Sequence, residues 1–184
     1  MKFSTMSYTF SRQKEHFDLE KMLAFTRDYM DGIDWVSLHG QSARDLRRMT
    51  DDHGVSVVCH TFFRRGCPTD DPGEFRKAID EGRRGIEAAV VLGAPVVMIP
   101  TPGRADVPRE QLRKQWIAGL RQLAPMALDA GVALTVENFP GKDSPFVLAA
   151  DYLEARAEVP GLKLTYDNGN AGSGEPPAAS FAAC

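Results

Sequence analysis

Short apolar, β-branched runs alternate along the whole chain with longer stretches of helical period. Lys2–Tyr8, Ile33–Leu38, Val55–His60, Pro95–Ile99, Val132–Glu137 and Leu162–Asp167 read as strands. Gly32, Gly54, Gly93, Gly131 and Gly161 precede five of them, where a helix C-terminus takes a left-handed residue before the chain turns into a strand. Between the runs Phe75, Ile79, Ile86 and Val90 fall on one helical face, and Leu112, Trp116, Leu120, Leu123 and Ala127 on the next. Pro125 predicts a kink or an early end for that second helix. Ser42 and Ser144 are candidate N-caps, and Pro108 suits a first turn. Val55-Ser56-Val57-Val58 and Val96-Val97-Met98-Ile99 suit strands of a parallel sheet covered by helices on both faces. Such an α/β alternation builds either a doubly wound open sheet or a (β/α)8 barrel. No linker interrupts it, so residues 1–184 read as one domain.

Composition narrows the class. With 43% apolar residues among 184, the chain can build a core. No apolar run approaches the roughly 18 residues that span a bilayer. Met1-Lys2-Phe3-Ser4-Thr5-Met6 leads into Arg12, Lys14 and Glu15 rather than into a signal-peptide core. A soluble, cytoplasmic protein without a membrane partner is expected. The balance of 22 basic against 25 acidic side chains, net −3, is wrong for phosphate-backbone binding, so no nucleic-acid partner is expected. Cys59, Cys67 and Cys184 contain no CxxC and suggest neither a disulfide framework nor a zinc knuckle. Cys59, inside an apolar run, reads as a small buried hydrophobe.

The candidate chemistry lies at the strand ends. Four runs finish in a titratable side chain: His39, His60, Glu137 and Asp167. In parallel α/β folds the carboxyl ends of the strands open onto one face where ligands bind, so these four are expected to converge there. Each also has a structural reading, a hydrogen-bonded histidine or a carboxylate capping the next helix. Carboxylates with imidazoles are a ligand set for Mn, Mg, Co or Zn. The segment Asn168–Glu175 has neither GxGxxG nor P-loop spacing and is flanked by Asp167 and Glu175, which makes Asn168 and Asn170 hydrogen-bonding groups of an active-site loop rather than a phosphate cradle. Arg64, Arg65 and Lys142 are either solvated loop residues or grips for a phosphate or sugar hydroxyls. Cys59 and His60 are strand neighbours whose side chains point to opposite faces, which removes an obvious Cys–His pair.

Val136-Glu137-Asn138, and Tyr166-Asp167-Asn168-Gly169-Asn170 followed by Gly174-Glu175-Pro176, resemble the sugar phosphate isomerase/epimerase family with xylose isomerase-like TIM barrels. The resemblance implies an incomplete (β/α)8 barrel with about six βα units. It also implies a divalent metal ion (Mn, Mg, Co or Zn) held by Glu137 and Asp167, with His60 contacting the substrate. The family's further ligands, a histidine on strand seven and a glutamate on strand eight, have no counterpart before Cys184, so a continuation of the native chain is expected. Asn170 stands where sugar epimerases of the family carry a histidine, and Phe139-Pro140-Gly141-Lys142-Asp143 offers no second glutamate.

The implied activity is that of a metal-dependent isomerase or epimerase abstracting a proton next to the carbonyl of a small sugar, sugar phosphate or polyol. Glu137 and His60 would be catalytic, and His39, Arg64, Asn168 and Asn170 would contact the substrate. A related dehydratase is one alternative. An endonuclease IV-like phosphodiesterase is another, though it needs a histidine-rich zinc cluster. This chain has four histidines, of which His16 and His53 fall on helical segments. The remaining alternative is an inactive barrel fragment, or one that assembles with another chain, a second copy included, because six strands cannot close an eight-stranded barrel.

Overall fold

The computed structural model describes residues 2–13, 15, 18–62, 69–172 and 175–184. Six strands, β1 (Ser4–Met6), β2 (Gly32–Val36), β3 (Val57–Thr61), β4 (Val96–Ile99), β5 (Ala133–Glu137) and β6 (Lys163–Thr165), form one parallel sheet in chain order. Helices α1 (Ser7–Ser11), α2 (Leu19–Tyr29), α3 (Ala43–Asp52), α4 (Pro72–Leu92), α5 (Arg109–Asp129), α6 (Ala149–Glu158), α7 (Asn168–Ala171) and α8 (Pro177–Ala183) fill the connections. These are six βα units of a TIM barrel. Among the described residues the sheet is not closed, and β1 and β6 each pair on one side only. Among the described residues no helix is long and apolar enough to cross a membrane.

The outer face of the sheet holds the core. Ile33 and Trp35 pack with Met22, Leu23 and Leu46 of α2 and α3. Val97, Ile99, Leu134 and Val136 pack with Ile86, Trp116 and Leu120 of α4 and α5. Each fully buried side chain of this size contributes about 1.5–3 kcal/mol. The five residues predicted for the buried face of α5 are buried. On α4 the prediction fails at Val90, which is 50% exposed, because the buried row runs from Ile86 through Ala89 to Leu92. Pro125 does not end α5, which continues to Asp129.

Four of the five pre-strand glycines, Gly54, Gly93, Gly131 and Gly161, have positive φ as expected. Gly32 has another reason. A Cβ there would stand 2.6 Å from Val58 Cγ1 and 2.7 Å from the Ser56 carbonyl oxygen, so glycine is required by close strand packing. Ser42 caps α3 by accepting the Asp45 N–H, whereas Ser144 caps no helix and donates its hydroxyl to the Pro140 carbonyl. The first strand is shorter than Lys2–Tyr8. Its ladder ends at Met6↔Asp34, and the next donor of β2, the Val36 N–H, is taken by the Ser7 side chain at 2.8 Å, which frees residues 7–11 to coil.

Candidate active site

Successive strand residues alternate between the helices outside and the interior of the open barrel. On β5, Leu134 and Val136 point outward and Thr135 and Glu137 inward, Thr135 Oγ1 lying 2.7 Å from Thr165 Oγ1 on β6. The β2–β3 pair breaks this rhythm. Ile33 is level with Val57, yet Asp34 is level with Cys59, which leaves Val58 as one extra residue. Such a bulge reverses the facing of everything after it. Cys59 and Thr61 therefore join Asp34 inside, with Thr61 Oγ1 at 3.0 and 3.1 Å from the two Asp34 oxygens. His60 joins Trp35 outside.

Glu137 ends β5 and Asp167 follows β6, and their carboxyl groups meet at the carboxyl ends of the strands, close enough to repel. Two neighbours hold this pair. The Asn138 side chain clamps the Asp167 backbone, Nδ2–H donating to its carbonyl at 2.8 Å and Oδ1 accepting its N–H at 2.7 Å. Thr101 donates its hydroxyl to the Glu137 carbonyl at 3.0 Å. The last ladder rung is Glu137↔Thr165, so the Asn138 amide acts as one further rung made by a side chain. Asp167 also caps α7, its Oδ1 accepting the N–H groups of Gly169 and Asn170. Asn138→Ala leaves two backbone groups unpaired at a 7%-exposed position, and should lower the urea-unfolding free energy by about 1–3 kcal/mol.

Burial pushes the Asp34 carboxyl up to about 6, against the hydrogen bonds from Thr61 and Cys59. Burial also raises Glu137, to about 7, with repulsion from Asp167 and Asp34 adding to it. Both carboxyls keep their protons in the folded chain at pH values where the unfolded chain, at 3.8 and 4.5, has released them. Folding therefore binds protons in that window. The stability these groups contribute is full below their unfolded values and is lost as pH rises through 6 and 7. Discounting for the water that reaches partly exposed Glu137, the fall amounts to about 2–3 kcal/mol. Urea unfolding across that pH range in chelator-treated buffer should show it, and Asp34→Asn should flatten it.

The predicted residues do not all meet. Glu137 and Asp167 come together. His60, 2% exposed, faces the helices, its Nδ1–H donating to the Trp35 carbonyl at 2.9 Å; this corrects its expected place at the mouth. His39 turns away toward β1, with Nε2 2.9 Å from Ser7 Oγ and its ring edge-on to Trp35. Burial lowers the affinity of both imidazoles for a proton. Asn168 and Asn170 lie on α7 directly after Asp167. Lys142 is exposed. Arg64, Arg65, Cys67 and His16 lie outside the described residues. Asp34, Asn138 and Thr101 were not expected in these roles. Asp34 alone carries a sequence signal, a charge inside the apolar run Ile33-Asp34-Trp35-Val36.

Glu137 and Asp167 offer hard oxygen donors, and their mutual repulsion would be relieved by a divalent cation, so their chemistry fits a metal ion. Two carboxylates make only part of a coordination sphere. Among the described residues no group of three or more His, Cys, Asp or Glu side chains is arranged to hold a metal.

Comparison with known proteins places the fold. None of the curated proteins matches the sequence. Among solved structures, a protein from Sinorhizobium meliloti superposes with a TM-score of 0.77 at 18% identity, over 91% of this chain and 63% of its own. The D-psicose 3-epimerase of Clostridium cellulolyticum superposes with a TM-score of 0.83 at 12% identity, over 100% of this chain and 69% of its own. A probable 3-DHS dehydratase from Bacillus anthracis gives 0.76 at 17% identity, over 99% and 69%. This chain thus spans about two thirds of each. The family model of the xylose isomerase-like TIM barrel matches residues 22–183, from the start of α2 through α8. With the βα units in that barrel's order across the match, the chain belongs to the xylose isomerase-like TIM barrel family.

Proposed function

We propose that the protein is an isomerase or epimerase that moves a proton next to the carbonyl of a small sugar, sugar phosphate or polyol. The observation that carries this reading is the Glu137–Asp167 pair, held side by side at the carboxyl ends of β5 and β6 by the Asn138 clamp. Glu137 is the proton carrier. Its carboxyl, raised toward neutrality, is basic enough to accept a carbon-bound proton and acidic enough to return it. Asp167 sustains that basicity by repulsion and orients α7, from which Asn168 and Asn170 offer amide groups to substrate hydroxyls. A divalent ion (Mn, Mg, Co or Zn) held by Glu137 and Asp167 would supply stabilisation of the negative charge that develops on the substrate oxygen. His60, on the outer face, takes no part in this arrangement.

An epimerase and a probable dehydratase among the fold's solved structures support chemistry of this kind. The test is to incubate the protein with Mn²⁺ and D-psicose, D-fructose or D-tagatose in heavy water. Deuterium entering the carbon beside the carbonyl is the expected result. Absence of exchange with all three sugars, together with salt-sensitive binding of DNA, would overturn the reading in favour of a phosphodiesterase.

A further inference from the structure

The reversal in β3 has a second product. His60, Phe62, Ser37 and Leu38 line a cavity of about 500 Å³ whose other wall is Glu81 and Arg84 of α4. It lies on the helix side of the sheet and contains neither Glu137 nor Asp167. Its floor is a close contact. A Cβ on Gly85 would stand 2.3 Å from Phe62 Cε1, so glycine there lets the ring lie flat against α4. Its rim is strained at Ser37, a non-glycine residue with φ 69°.

Three polar groups in this cavity lack partners among the described residues. Glu81 Oε2 is buried and makes no hydrogen bond. Arg84, exposed at the edge of the cavity, makes no ion pair among the described residues, the pairs with Asp80 and Glu87 being taken by Arg83. Because Nδ1 of His60 donates to the Trp35 carbonyl, the neutral ring leaves Nε2 as a bare acceptor. A buried carboxylate oxygen and an imidazole lone pair both want a donor, and the guanidinium wants an anion. Phe62 and Leu38 add an apolar surface.

We infer that this cavity, lined by neither Glu137 nor Asp167, is a second binding site, for a small zwitterion with an apolar side chain, the α-amino acid class. The ammonium goes to Glu81 and His60 Nε2, the carboxylate to Arg84, and the side chain against Phe62. Glu81 and Arg84 are three residues apart on one helix and so stand as neighbours on its surface, spaced for the two charges of one small molecule.

The test uses the full chain and L-valine, with isobutylamine and isovalerate as molecules carrying one charge each. Calorimetric titration should show saturable binding of valine at least about tenfold stronger than either half-molecule. Glu81→Gln and Arg84→Gln should each weaken it by about tenfold or more. Glutamine is a good helix former, and thermal melts check that the fold is kept. A fold-independent readout is the ¹⁵N resonance of His60 Nε2 in the unmutated protein, which should move on titration. No saturation up to about 10 mM, binding of one half-molecule as tight as that of valine, or a His60 resonance that stays still would each overturn the assignment.

Discussion

Glu137→Gln is expected to reduce deuterium exchange by at least about a thousandfold while making the protein more stable at alkaline pH. The two effects share one cause. Glutamine has nearly the shape of glutamic acid but can neither take up nor release a proton in the accessible range, so the proton carrier is gone. It also cannot ionise, so the cost of holding a partly buried charge, beside Asp167 and Asp34, disappears. That cost is felt only above the folded value of about 7. The gain, discounted for solvent, is about 1–2 kcal/mol in that range and near zero at pH 4. Exchange unchanged in this variant would remove Glu137 from the mechanism. A variant both inactive and less stable at high pH would show that the ionised carboxylate is stabilised rather than penalised by its surroundings.

Asp151→Ala should be a severely damaging change to the fold, costing about 3–4 kcal/mol of a net stability that is typically about 5–15 kcal/mol. Asp151, 5% exposed, lies in the first turn of α6. It accepts from Arg109 and Arg113 of α5, the latter at 3.0 Å, and from the backbone N–H groups of Val147 and Leu148 at 3.1 and 2.8 Å. One carboxylate thus caps a helix and ties it to its neighbour. Removing it strands two arginines and two amide donors together. Arg113 retains Glu154 at 2.8 Å and Arg109 reaches some water, which keeps the loss below the sum of its parts. Asp151→Asn, which keeps the acceptor for the helix but not the charge, should cost about half as much. Urea midpoints at constant slope measure both.

The strand order and the carboxylate pair were legible because β4, β5 and β6 keep an unbroken alternation. Counting along Leu134-Thr135-Val136-Glu137 puts the last side chain inside, and the structure agrees. The outward facing of His60 is not legible in the sequence, because a period-two count cannot see one extra residue. Nothing in Val57-Val58-Cys59-His60 marks Val58 as the bulge, which is set by its pairing with β2. The same limit applies to Val90, where the apolar spacing suits a four-residue step and the helix buries the three-residue step instead. Asn138 was visible as part of a motif, but its hydrogen bonds run to a backbone segment 29 residues away. No local pattern encodes that.

Among the described residues the two outer strands of the sheet, Ser4–Met6 and Lys163–Thr165, are three residues long each. A strand arriving from another molecule would find only roughly 10 Å of ladder on either side. One margin ends where Ser7 turns the chain into a helix, and the other begins with the exposed charge of Lys163. Runaway edge-to-edge aggregation is thus discouraged by geometry as well as by charge. Conversion to fibrils should be slow even though the barrel is open.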